Sequence, residues 1–207
     1  MKIGMYQGMV GNLWESGVGI AFNGESSRTS DLESLHPIRN PKKETIKLSG
    51  QKHNAYYGDL TKLPQIRFGS TYVPLDRSNE SFDAFTVEEV DDHALRLILF
   101  QFTVAESHPI KDGGVIKVLV HVNDVVDDRT HKKQKTRLDS STTQREVKQI
   151  WIVFVVPADT PAVISTLQAV PGSASLLGIE PEQFVMKVSF MDIVPLLTEK
   201  SQSMSTT

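Results

Sequence analysis

The feature that most constrains the fold is an apolar run over residues 94–105, ALRLILFQFTVA. This run is too apolar for a strand with one solvated face, and it is too short to cross a bilayer as a helix. It therefore predicts a buried strand at the centre of a sheet. We expect the other elements of the chain to be arranged around it.

Several other segments have the pattern of strands. Residues 82–87 alternate apolar and polar side chains, as a half-buried strand does. The apolar run over residues 149–156 ends at Pro157, and residues 183–189 predict a mostly buried strand at the sheet margin. We also predict strands at residues 44–48 and 70–73. The prediction is an α/β domain with a mixed central sheet of about four to six strands flanked by helices.

Residues after Ser107-His108-Pro109 predict a helix, with Asp112 as its N-cap. Five apolar positions recur there at i, i+3, i+4 spacing: Val115, Val118, Leu119, Val122 and Val126. The β-branched content of the same segment favours a strand instead, so helix and strand are both open until the resemblance described below favours the helix. Shorter helical patterns occur at residues 5–13, 161–169 and 191–197.

The length of 207 residues suits one domain, which we place at residues 1–200, with a disordered Ser/Thr-rich tail at 201–207. Two hydrophilic stretches interrupt it, a polar excursion at residues 23–51 and a basic loop at 127–147. The absence of cysteine excludes disulfides and cysteine-bound zinc. With no signal-like or membrane-spanning apolar segment, we expect an intracellular protein with no membrane partner.

Polar residues in the apolar segments mark a candidate site. Gln101 and Thr103 project from one face of the central strand, because side chains alternate along a strand. Asp83 lies on the strand before it. Two interpretations are open at this point: a metal site built from a carboxylate and an amide oxygen, or polar residues that hydrogen-bond within the core.

The amino-acid sequence of this region resembles that of a known family. The string Leu99-Phe-Gln-Phe-Thr-Val-Ala-Glu-Ser-His-Pro-Ile-Lys111, preceded by Phe82-Asp83-Ala84-Phe85, is similar to the C-terminal module of Crinkler-type effectors and of retrotransposon hot spot proteins. The segments at residues 70–75 and 151–157 also resemble that module. The resemblance covers roughly residues 68–190, and it implies a restriction-endonuclease-like fold of the PD-(D/E)XK type with a helix after His-Pro-Ile-Lys.

The resemblance implies a site as well. Asp83 takes the place of the first acid, Gln101 that of the second acid and Thr103 that of the lysine. Such sites cleave phosphodiesters with Mg²⁺ held by oxygen ligands. Glu15, in Gly11-Asn-Leu-Trp-Glu15, is the candidate third metal ligand from a first helix. Lys111 or Lys117 would have to replace the missing lysine, and His108 is a reserve base or phosphate contact.

Two functions follow as expectations. The first is a Mg²⁺-dependent DNA endonuclease acting in the nucleus. The second is a catalytically inactive nuclease-like module that binds nucleic acid or a host or nuclear protein. The net charge of −3 provides no global basic field, so DNA binding would depend on local charge. The basic segment at residues 129–137 is either a solvated loop or a phosphate contact made by Lys132, Lys133, Lys135 and Arg137.

Overall fold

A computed structural model describes the fold over residues 28–35, 44–48, 54–63, 65–75, 82–105, 107, 110–134, 145–158, 166–170 and 178–189. These ranges contain eight β-strands, one α-helix and one 3-10 helix. In chain order the elements are β1 (Arg28–Ser34), β2 (Glu44–Leu48), β3 (Asn54–Tyr57), η1 (Leu60–Lys62), β4 (Thr71–Pro74), β5 (Ala84–Glu89), β6 (Ala94–Phe102), α1 (Asp112–Gln134), β7 (Glu146–Pro157) and β8 (Glu182–Val188).

The strands form one mixed sheet in the order β2-β1-β8-β7-β6-β5-β4-β3. Strands β6, β7 and β8 are parallel to one another, whereas β4, β5 and β6 form an antiparallel meander. The predicted α/β class and mixed sheet are therefore confirmed, with β6 inside the sheet. The predicted four to six strands were too few, since the sheet has eight.

The extra width comes largely from the predicted polar excursion at residues 23–51. Its residues 44–48 form β2 as predicted, but β1 was missed because its sequence RTSDLES contains a single large apolar residue, Leu32. Strand β1 contacts β8 through only two register pairs, Glu33↔Val185 and Ser34↔Phe184. This contact places β8 between β1 and β7, which corrects its predicted position at the sheet margin.

Strand β6 is buried on both faces, as its composition predicted. On one face, Leu95, Leu97 and Leu99 pack in a cluster with the apolar side of α1. On the other face, Ile98 and Phe100 belong to a second apolar cluster with partners from β7 and β8. We refer to these as the helix face and the second face of the sheet.

The helical interpretation of residues 112–126 is correct. All five predicted apolar positions of α1 are buried against the sheet. The helix continues to Gln134 and β7 begins at Glu146, so the predicted basic loop at 127–147 is shorter than expected, with its first part in α1 and its end in β7. Asn123 ties the two elements together, since its Oδ1 accepts a hydrogen bond from the Val147 N–H at 2.9 Å.

Other helical predictions have mixed outcomes. Residues 166–169 are not helical, which corrects the end of the helix predicted at 161–169. The helical patterns predicted at 5–13 and 191–197, and the tail at 201–207, lie outside the described residues. Within the described ranges, α1 is the longest helix, and no helix there has the length and apolarity that a membrane span requires.

Candidate functional site

The predicted pair, Asp83 and Gln101, meets where β5 begins and β6 ends. Asp83 immediately precedes β5, and the antiparallel register Ala84↔Phe100 places it opposite Gln101. This is also the edge where parallel strands β6, β7 and β8 have their carboxyl ends. Loops at that edge commonly form ligand sites in α/β proteins, so the location suits a functional site.

The two side chains are hydrogen-bonded to each other. Gln101 donates from Nε2 to Oδ2 of Asp83 at 3.0 Å. The same Oδ2 accepts the backbone N–H of Phe102 at 2.6 Å, and the Asp83 N–H donates to the Phe100 carbonyl at 2.8 Å. The Asp83 carboxylate thus takes the role of a backbone carbonyl and extends the β5–β6 ladder by one step.

Gln101 is the more buried partner, with 5% of its surface exposed. Its Oε1 is buried and has no hydrogen-bond partner among the residues that the structure describes. Turning the amide over would direct Oε1 at the carboxylate and remove the Nε2 bond, so the hydrogen bond fixes which atom faces Asp83. The carbonyl oxygen of Gln101 is therefore a buried acceptor that no described residue uses.

Thr103, in the predicted lysine position, has a local structural role. Its Oγ1 accepts the N–H of Ala105 at 3.0 Å, and its own N–H donates to the Val155 carbonyl at 3.1 Å. The side chain is 4% exposed, and it ends β6 by turning the chain towards α1. Lys111, just before α1, and Lys117, on α1, are both exposed.

The remaining predicted site residues lie in α1 or outside the described residues. Lys132 and Lys133 belong to the last turn of α1 and not to a loop, which corrects that part of the prediction. Glu15, His108, Lys135 and Arg137 lie outside the described residues.

The pair fits Mg²⁺ poorly. Mg²⁺ prefers octahedral oxygen coordination with carboxylate ligands. Here the pair offers one carboxylate, whose Oδ2 already accepts two N–H donors, together with one neutral amide oxygen. Among the described residues no group of three or more His, Cys, Asp or Glu side chains is placed to hold a metal. These two residues do not by themselves constitute a magnesium site.

A second polar cluster, on the second face of the sheet, was missed. Arg96 on β6 donates from Nε to Oε1 of Gln149 at 2.8 Å, and its Nη1 lies 3.5 Å from the Glu88 carboxylate. Its Cζ lies 3.7 Å from the ring centroid of Trp151. Burial raises the pKa of the Glu88 carboxyl, with the Arg96 charge opposing the shift. We call these four residues the Arg96 cluster.

One signal for this cluster was present in the sequence, since Arg96 is the only charged residue in the 94–105 run. What the sequence does not show is the register. The β6–β7 pairing shifts between Leu95 and Arg96, where Leu95 pairs with Val147 but Arg96 pairs with Gln149. This irregularity directs Gln149 and Trp151 to the same face as Arg96.

A buried glutamine pair holds another segment against the helix face. Gln183 on β8 accepts the Gln168 N–H and donates to the Gln168 carbonyl, both at 2.8 Å. The Oε1 of Gln168 accepts a hydrogen bond from the hydroxyl of Ser107 at 3.3 Å. The loop after β6 is therefore linked to β8 through Gln168.

Comparison with protein-family models, with curated proteins and with solved structures finds no match to this chain.

Proposed function

We propose that this chain is a Crinkler-like nuclease-fold module that binds nucleic acid without cleaving it. The observation that carries the proposal is the state of Asp83, whose Oδ2 accepts hydrogen bonds from Gln101 Nε2 and the Phe102 N–H. These bonds stabilise the strand pair and occupy the lone pairs of that oxygen, so Oδ2 is not free to bind a metal. Thr103 brings no cation to the site, and its hydroxyl is used in the turn to Ala105.

Two features support the nuclease-like part of the proposal. Asp83 and Gln101 lie side by side at the ends of neighbouring strands, as the resemblance implies for its two metal-binding positions. The helix α1 begins at Asp112, directly after the His-Pro-Ile-Lys string that resembles the family.

We propose nucleic acid as the ligand because of the basic segment at residues 129–137. It contains five Lys or Arg and no acid, in a chain whose net charge is −3. Its first six residues extend α1, so Lys132 and Lys133 lie at the carboxyl end of a long helix. Clustered cations bind phosphates without reading bases. A host or nuclear protein is the other class of partner, and the test below separates the two.

The test is the salt dependence of DNA binding. Fluorescence anisotropy with a labelled duplex should give a log–log slope of about −0.9 per phosphate contact. Replacing Lys132, Lys133, Lys135 and Arg137 with serine should weaken binding to all sequences alike and flatten the slope. A control with the same charge change replaces four exposed cations elsewhere, Lys62, Arg67, Lys148 and Lys187. Equal slopes for the two quadruple variants, or no binding by the unmodified protein, would contradict nucleic-acid binding through this segment.

A Mg²⁺-dependent endonuclease is the second candidate, favoured by one observation. The Oε1 of Gln101 is buried and no described residue bonds to it, as expected for an oxygen that binds a cation. Such an enzyme would require further acids, for which Glu15 is the candidate from the sequence. It predicts Mn²⁺-dependent nicking of plasmid DNA that Asp83→Ala abolishes without lowering the melting temperature. Our first proposal predicts no nicking and a lowered melting temperature for that variant.

A further inference from the structure

The Arg96 cluster has unused hydrogen-bond donors. Within the described part of the chain, the guanidinium is held by Gln149 at Nε, by Glu88 at Nη1 and by the Trp151 ring on one face, and no acceptor contacts Nη2. The Arg96 side chain is 22% exposed. Arginine fixed in this way has little conformational freedom left to lose when its remaining N–H groups bind an anion.

Two residues next to Arg96 on this face carry buried polar atoms without partners. The Nε1 of Trp151 and the Oγ1 of Thr86 are both buried and make no hydrogen bond within the described ranges. The register pairs Arg96 with Glu88 and Gln149, so Thr86 and Trp151 are its diagonal neighbours on β5 and β7. Diagonal neighbours on one sheet face lie about 7–8 Å apart, which long side chains span.

Buried donors without acceptors are costly, and each requires an explanation. Here three donor groups on neighbouring positions of this face, around Ile98, have no acceptor among the described residues: an arginine Nη2, an indole N–H and a hydroxyl. Each can donate to an oxygen, and the arginine brings positive charge. From this geometry we infer that Arg96, Trp151 and Thr86 form a binding site for a small oxyanion, a phosphate or a carboxylate, on the second face of the sheet.

The site is separate from the Asp83–Gln101 pair. Arg96 precedes Gln101 by five positions on β6, which corresponds to roughly 16 Å along a strand. The odd number of positions also places the two side chains on opposite faces. The partly exposed Glu88 carboxylate limits the charge that the site tolerates, so a small monoanion or dianion suits it better than a polyanion. This inference is independent of the proposed nucleic-acid binding.

The indole N–H of Trp151 provides a direct readout. The chain has two tryptophans, so a ¹⁵N-labelled Trp14→Phe variant assigns the indole signal of Trp151. Titration with inorganic phosphate, and separately with acetate, at constant ionic strength in chloride, should shift that signal downfield and saturate for the anion that binds. Which of the two saturates distinguishes a phosphate site from a carboxylate site.

Three variants complete the experiment. Arg96→Lys keeps the charge but loses the planar fork, and it should weaken binding at least 10-fold. Thr86→Val keeps the shape and should weaken binding a few-fold, whereas Arg67→Lys, on an exposed arginine, should have no effect. If Arg96→Lys fails to fold, saturable stabilisation of the unmodified protein by phosphate or acetate over chloride still tests the site. A linear shift, an equal shift in chloride, or unchanged binding by the Thr86→Val variant would overturn the inference.

Discussion

The two polar clusters on β6 differ in how fully the fold uses them. At the carboxyl end of the strand, Asp83 Oδ2 accepts two hydrogen bonds, and Gln101 Oε1 has no partner in the described part of the chain. Five positions earlier and on the other face, Arg96 is held at three places, while the indole N–H of Trp151 and the hydroxyl of Thr86 on neighbouring strands have no partner there. We call the first cluster nearly closed because one of its buried polar atoms lacks a described partner. We call the second open because, with Thr86, it has two such atoms beside a fixed guanidinium.

A polar residue in an apolar strand can therefore have either of two explanations. When its hydrogen bonds complete a backbone ladder, as those of Asp83 do, removing it destabilises the fold. When it is anchored beside unused donors, as Arg96 is, the unused groups indicate a ligand. The loss of stability on mutation and the response to added phosphate or acetate should therefore distinguish the two clusters.

The largest loss in the free energy of unfolding is expected for Asp83→Ala. This change removes the carboxylate that accepts the hydrogen bonds of the Phe102 N–H and Gln101 Nε2 at a strand end, at a cost of about 2–4 kcal/mol in the free energy of unfolding. Asp83→Asn, which keeps one acceptor oxygen, should lose about half as much. Urea denaturation of the three proteins gives the values. An unchanged midpoint for Asp83→Ala would show that the carboxylate does not stabilise the ladder.

A smaller loss in the free energy of unfolding is expected for Arg96→Met. The change removes the hydrogen bond to Gln149 and the contact with Trp151, but Glu88 and Gln149 are partly exposed and water replaces their lost partner. Cation–π and partly exposed ion-pair energies predict a loss of about 1–2 kcal/mol. The same urea series measures it. A loss greater than that of Asp83→Ala would make the Arg96 cluster the principal structural one and reverse the comparison.

The sequence predicts one of these clusters and not the other for a physical reason. Asp83 and Gln101 are brought together by alternation and by the pairing of consecutive strands, both of which are local patterns. The Arg96 cluster depends on a parallel pairing of β6 with β7, formed across α1, and on an irregularity after Leu95. Such a register cannot be inferred from local periodicity.

The same distinction applies to the fold. The apolar strands and the buried face of α1 follow from local patterns, and most of them were predicted. Strand β1 depends on pairing with β2 and β8, and its polar sequence gives no sign of this. The basic segment was assigned to a loop because its charges are hydrophilic, whereas α1 continues into it to Gln134.

The contribution of the Arg96 cluster to stability should also depend on pH. Burial raises the pKa of Glu88 above the ordinary value of 4.5, so the folded state keeps this proton to higher pH than the unfolded state. The contribution of Glu88 to stability is therefore full below pH 4.5 and declines as pH rises through the raised pKa. Glu88→Gln should abolish this decline, an effect of less than about 1 kcal/mol because the pair is partly exposed. Urea midpoints between pH 4 and 7 measure it, and identical profiles for both proteins would contradict the role of burial.

The smallest effect on stability is expected at His121, which carries a single buried polar atom without a described partner. Its Nε2 makes no hydrogen bond to a described residue, and the residue is half-buried where α1 packs against η1. Burial lowers its pKa, and a hydrogen bond with the Leu63 backbone and the charges of Asp124 and Asp59 oppose this.

The sign of the effect at His121 follows from the neutral ring of the folded state. Below the ordinary histidine pKa of 6.5, the unfolded chain takes up a proton that the folded chain resists, so stability decreases as pH falls towards the lowered pKa. His121→Gln should flatten this slope by less than about 1 kcal/mol, because solvent screens a half-exposed group. It should also leave the phosphate or acetate response of Trp151 unchanged. If His121→Gln altered that response, an isolated unpartnered atom would have the same meaning as the open Arg96 cluster, and the distinction between them would fail.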